Sequence, residues 1–74
     1  RGASGGERVR KGESPFTVSD EHGIRRDSKA MEMLKMISVE TRFQNGESWF
    51  EAAKDLGISE NSRAWKELRG RLNT

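Results

Sequence analysis

Seventy-four residues with 31% hydrophobic content, a formal charge of +2 and no cysteine hold at most one small domain. The missing thiols exclude disulfides and thiolate metal sites, and a single histidine, His22, makes a zinc centre improbable. No apolar run reaches membrane-spanning length and nothing resembles a signal peptide, so an intracellular protein, cytoplasmic or nuclear, with no membrane partner is expected.

Apolar residues are unevenly spread: of 23, only Ala3, Val9, Phe16, Val18 and Ile24 fall in the first 26 positions. Five of the eight glycines lie there as well, the composition of a tail more than of a packed layer. Residues 1–26 are therefore expected to form a flexible, extended N-terminal arm. Residues 1–13 read as disordered, and Phe16-Thr17-Val18, a turn over 19–23, and Ile24 have the alternation of an extended strand or a short β-hairpin at 15–26.

Residues 27–74 predict an all-α domain of three helices. Asp27 or Ser28 caps the first, which runs to about Phe43. Ala30, Met33, Leu34 and Ile37 form one apolar stripe; Met36, Val39 and Phe43 form a second on another side. A helix apolar on two sides is sandwiched between neighbours or lends one side to a partner chain. Gly46 supplies a left-handed cap, and Ser48 caps a second helix over 49–56 that buries Trp49 or Phe50 with Ala53 and Leu56. Gly57 ends it. The third helix begins between Ser59 and Arg63 and continues toward Leu72, with Ala64, Trp65, Leu68 and Leu72 inside about 100° of arc. Arg63 and Lys66 point the other way.

The corner between the last two helices has a recognisable pattern. Ala53 stands four residues before Gly57, Leu56 precedes that glycine and Ile58-Ser59 follow it. On these residues the segment 49–72, about a third of the chain, resembles the helix-turn-helix superfamily of DNA-binding domains. That family has apolar residues six and nine positions after the turn glycine, where this chain has Arg63 and Lys66. Its apolar residues arrive later, so either the turn is longer or the third helix is rotated about its axis.

The resemblance implies a non-enzymatic domain that places its third helix in the major groove of double-stranded DNA, as a regulatory (transcriptional), recombination or packaging accessory factor. It implies that Ser59 and Ser62 meet phosphate or a base edge, that Arg63 and Lys66 read bases, and that Arg69 and Arg71 neutralise phosphates. Four such cations correspond to a salt slope of roughly −3 to −4. Arg8, Arg10 and Lys11, or the pair Arg25 and Arg26, would reach an adjacent groove from the flexible arm. A domain of this size binds weakly alone, so a homodimer or larger assembly is expected. The residues equally allow a helical protein-interaction module or adaptor that uses the Met36, Val39 and Phe43 surface.

Other features carry less. His22 with Ser14 and Ser19 has the residue types of a hydrolase but sits in a turn without a scaffold. Gly5-Gly6 follows no strand and lacks phosphate-loop spacing. No catalytic residue, cofactor, metal or small-molecule substrate is expected.

Overall fold

The computed structural model describes residues 5–72, which form five helices and no strand. They are α1 (Gly5–Arg10), α2 (Pro15–Glu21), α3 (Lys29–Gln44), α4 (Trp49–Asp55) and α5 (Arg63–Leu72). The central α3 touches the other four. It is sandwiched, but the two expected stripes hold only in part. Leu34 packs with Val9 and Val18, and Met36 and Val39 pack with Trp49, Ala52, Leu56 and Leu68. Ala30, Met33 and Phe43 are exposed, whereas Met31, outside both stripes, is fully buried.

Local chemistry sets the boundaries. The Ser28 hydroxyl accepts from the Met31 amide at 3.1 Å and starts α3. Gly46 and Gly57 turn the chain with φ of 97° and 80°, a region costly to side chains with a Cβ. Ser48 holds the cap position of α4, but its side chain makes no capping bond. Trp49 is the buried aromatic of that helix, and Phe50 is 44% exposed.

The expected extended arm and hairpin are overturned from residue 5 onward; residues 1–4 of that arm, like 73–74, lie outside the described residues. Ser14 caps α2, accepting from the Phe16 amide at 3.2 Å, and Pro15 occupies the first turn, where its missing N–H costs nothing. Phe16 and Val18 suggest a period of two. The buried positions are instead Pro15, Val18 and Ser19, spaced i, i+3, i+4. Few apolar side chains are needed because α1 approaches through glycine: a Cβ on Gly5 would lie 3.1 Å from Val18 Cγ1, and one on Gly6 3.1 Å from Ile37 Cδ1.

The corrected first half explains the second. Shifted by 34 positions, residues 12–34 align with 46–68, and nine of the 23 pairs are identical. They are Gly12/Gly46, Glu13/Glu47, Ser14/Ser48, Phe16/Phe50, Gly23/Gly57, Ile24/Ile58, Ser28/Ser62, Ala30/Ala64 and Leu34/Leu68. The backbone repeats with them. All four positive-φ glycines belong to equivalent pairs: Gly12 (105°) with Gly46 (97°), and Gly23 (67°) with Gly57 (80°). The Ile24 amide donates to the Ser19 carbonyl at 2.8 Å, and the Ile58 amide to that of Ala53 at 2.9 Å. Ser28 and Ser62 each donate to the carbonyl three residues back at 2.6 Å and accept from the amide three residues ahead. Arg8 bonds Glu13 and Glu21, both at 2.6 Å, while Arg42 bonds Glu47 at 2.8 Å and Asp55 at 3.2 Å. The fold is thus a repeated helix–turn–helix–turn unit in which α3 closes one copy and opens the next.

Candidate nucleic-acid interface

Helix α5 is amphipathic in the strict sense. Ala64 and Leu68 are buried, Trp65 and Leu72 pack against the same core, and Arg63, Lys66 and Arg69 are exposed. At 100° per residue the three cations occupy an arc of about 120° beside the apolar arc. None of them makes an ion pair among the described residues. The connection before α5 is long: α4 stops at Asp55 and α5 starts at Arg63. The late arrival of apolar residues therefore reflects a longer turn, closed by Ser62 as the cap.

The two serines of that turn differ. Ser62 donates its proton to the Ser59 carbonyl at 2.6 Å and accepts from the Trp65 amide at 3.2 Å, so its hydroxyl is committed to starting the helix. Ser59 accepts from the Asn61 amide at 3.2 Å and keeps its proton available. It is the better phosphate donor of the pair.

The remaining predicted cations divide sharply. Arg71 bonds Glu40 of α3 at 2.6 Å and lies 3.7 Å from Glu67, so it ties α5 to α3. Arg8 is not on an arm. It braces the α1–α2 turn, and its guanidinium holds the Glu13 carboxyl below the usual carboxylate range. Arg10 and Lys11 are exposed at the end of α1 and in the turn after it. Arg25 pairs with Asp27 at 3.4 Å, both open to solvent. Arg26 lies 5.5 Å from the Phe16 ring centroid and lines a groove whose opposite wall is the turn with Ser59 and Ser62. The structure so joins Arg26 to the predicted serines, and it removes Arg8 and Arg71 from the free cations.

Two cations escaped sequence reasoning. Lys29 is exposed at the first turn of α3 and has no ion pair among the described residues. Lys35 lies 5.6 Å from the Phe16 centroid on the same groove as Arg26. The signal that finds them is the 34-residue shift, which sets Lys29 against Arg63 and Lys35 against Arg69.

The rival surface and the hydrolase-type residues fare differently. Met36 is 8% and Val39 0% exposed, covered by α4 and α5, which leaves Phe43 as the open member of that stripe. The Ser19 hydroxyl is buried and donates to the Phe16 carbonyl at 2.8 Å, and Ser14 caps α2, so neither faces His22 as a nucleophile. Among the described residues no group of His, Asp and Glu is placed to hold a metal, and no helix is long and apolar enough to cross a membrane.

No family model, no curated protein and no solved structure matches this chain.

Proposed function

We propose that this chain is a non-enzymatic duplex-DNA-binding domain that lays the Arg63–Lys66–Arg69 side of α5 into the major groove. It would serve a regulatory, recombination or packaging role as an accessory factor. The observation that carries this reading is the uncompensated cationic arc on a helix whose opposite side is anchored in the core. Arg8 and Arg42 are each held by two carboxylates, whereas Arg63, Lys66 and Arg69 stand in consecutive turns of one helix with no ion pair among the described residues, an arrangement that suits an anionic partner. Residues 5–26 leave this side open, since α5 packs only on α3 and α4. A guanidinium at Arg63 suits bidentate contact with guanine, Lys66 suits a base edge or phosphate, and Arg69 suits phosphate. The Ser59 hydroxyl would add a neutral phosphate contact.

Three cationic contacts give an expected salt slope of roughly −3 in log–log form, since Arg71 is held by Glu40. The test is titration of a generic duplex at two or more salt concentrations, followed by backbone amide shifts. Shifts should centre on α5 and the turn before it, and an Arg63→Ala, Lys66→Ala variant should bind at least ~10-fold more weakly with its fold intact. Unchanged affinity in that variant would remove α5 from the interface.

A further inference from the structure

We infer that the flanks of the cationic face are built twice, so that the N-terminal half of α3 is a second, weaker contact surface for the same polyanion. Lys29 and Lys35 repeat Arg63 and Arg69 on either side of Glu32, which stands where α5 has Lys66. The inference rests on α5 being the DNA-facing helix and extends that reading to residues outside it.

The repeat sorts the charges by role. Asp20 becomes Lys54, Arg26 becomes Glu60 and Glu32 becomes Lys66 across the 34-residue shift, so charge inverts at these three positions. Charge is kept at two kinds of place. The first is the brace, Arg8/Arg42 with Glu13/Glu47 and Glu21/Asp55, whose bonds hold the turns. The second is the outward pair Lys29/Arg63 and Lys35/Arg69, which no ion pair explains. Lys35 has a ring beneath it at 5.6 Å; Lys29 and Arg63 have no such contact. The Lys29/Arg63 position holds its charge in both copies without an internal partner among the described residues and is best accounted for by an external one. Half-buried Lys35 keeps its charge over the Phe16 ring and adds to the same side.

Geometry supplies a continuous path between the copies. The groove between the start of α3 and the turn before α5 is lined by Arg26 and Lys35, together with the carboxylates Asp27 and Glu32, on one side and by Ser59 and Ser62 on the other. Packed helices lie about 8–10 Å apart, and a duplex carries one charge per about 1.7 Å of axis. Lys35 and the Ser59–Ser62 turn line one groove, so a duplex laid over that groove meets the end of the α3 row and the start of α5 together. A major groove about 12 Å wide admits one helix. With α5 inside it, the α3 row meets the flanking backbone, which makes Lys29 and Lys35 phosphate contacts that carry no sequence preference.

The experiment compares three charge-removing pairs in the full chain, each checked for unchanged circular dichroism: Lys29→Gln with Lys35→Gln, Arg63→Gln with Arg69→Gln, and Arg10→Gln with Lys11→Gln. The last pair is the control for net charge, because the repeat replaces those cations with Gln44 and Asn45. Binding to two unrelated duplexes is followed against salt. With the α3 row engaged the wild-type slope becomes roughly −5 instead of the roughly −3 that α5 alone would give. The α3 pair is expected to reduce it by about 2 and to weaken both duplexes alike, and the α5 pair to reduce it by a similar amount. If the α3 pair moves the slope no more than the control while the α5 pair lowers it, the second surface is refuted and α5 remains the interface. If the wild-type chain fails to bind either duplex, or neither pair exceeds the control, the DNA reading fails and takes this inference with it.

Discussion

In the first half of the molecule Gly5 faces Val18 and Leu34; in the second, Val39, Ala52 and Leu68 stand at the equivalent places in one buried cluster. The bulk has crossed the contact, from the second partner to the first, while the leucine stayed. A neighbouring pair changes chemistry altogether. Gly6 against Ile37 becomes Glu40 against Arg71, an apolar approach exchanged for a 2.6 Å ion pair. What does not change is the framework of the Ser28 and Ser62 caps, the glycine turns and the arginine brace. The comparison teaches that backbone devices define the unit, and that the space between helices accepts different fillings when their combined volume agrees.

Truncating the shared leucine sharpens this contrast most. Leu68 is 0% exposed at the centre of the larger cluster, whereas Leu34 is 6% exposed beside glycines. Leu68→Ala should cost about 3 kcal/mol and Leu34→Ala about 2 kcal/mol, read from urea midpoints with unchanged slopes. Equal losses would mean that the two cores are energetically the same despite their composition.

The exchanged volume gives the next effect. Gly5→Val alone crowds Val18 Cγ1 and should cost about 2 kcal/mol. Adding Val18→Ala recreates the filling of the second half and should recover at least ~1 kcal/mol of that loss. Simple additivity in this double-mutant cycle would break the equivalence of the two contacts.

Smaller still is the expected cost at the turns. Gly23 and Gly57 have φ of 67° and 80°, and a Cβ at either would touch nothing within 4 Å. Gly23→Ala and Gly57→Ala should each lose about 1 kcal/mol, through backbone strain alone. A loss at one and none at the other would show that the repeat ends at the sequence.

Much of the second half is legible in the residues. Ser28, Gly46, Gly57 and the apolar stripe of α5 each use a strong local signal, and the structure places them as that signal implies. On α3 the stripes keep Leu34, Met36 and Val39 but lose Ala30, Met33 and Phe43 to solvent. The first half hides the same architecture behind composition. Its five glycines look like a tail, yet Gly12 and Gly23 turn the chain and Gly5 and Gly6 admit α1 to close packing. Ser19, at 0% exposure, fills the place that Ala53 takes in α4, so the pattern of buried positions contains a polar letter. Counting apolar residues missed it; comparing the chain with itself finds it. The candidate site was half legible for a related reason. Arg63, Lys66 and Arg69 follow from helical periodicity, but beside their near partners Glu13 and Glu67, Arg8 and Arg71 are engaged by Glu21 and Glu40, which lie 13 and 31 residues away in sequence.

The brace offers the gentlest test of the comparison, because its groups are exposed and screened by salt. Arg8 holds Glu13 below its ordinary value near 4.5, chiefly through their hydrogen bond. A carboxyl depressed in the folded state adds stability above its unfolded value, and that stability disappears as pH falls through the folded value. Wild type should therefore exceed Arg8→Gln in urea midpoint near pH 7, with the gap narrowing as pH falls through the ordinary Glu13 value near 4.5 and closing once the carboxyl is protonated in the folded state. Raising salt should shrink the gap at neutral pH and raise the pH at which it closes, because a screened Arg8 depresses Glu13 less. A gap that persists in acid would show that the Arg8 side chain acts by packing between the α1–α2 turn and Glu21, so that the two arginines, alike in sequence and bonding, serve the two turns by different means.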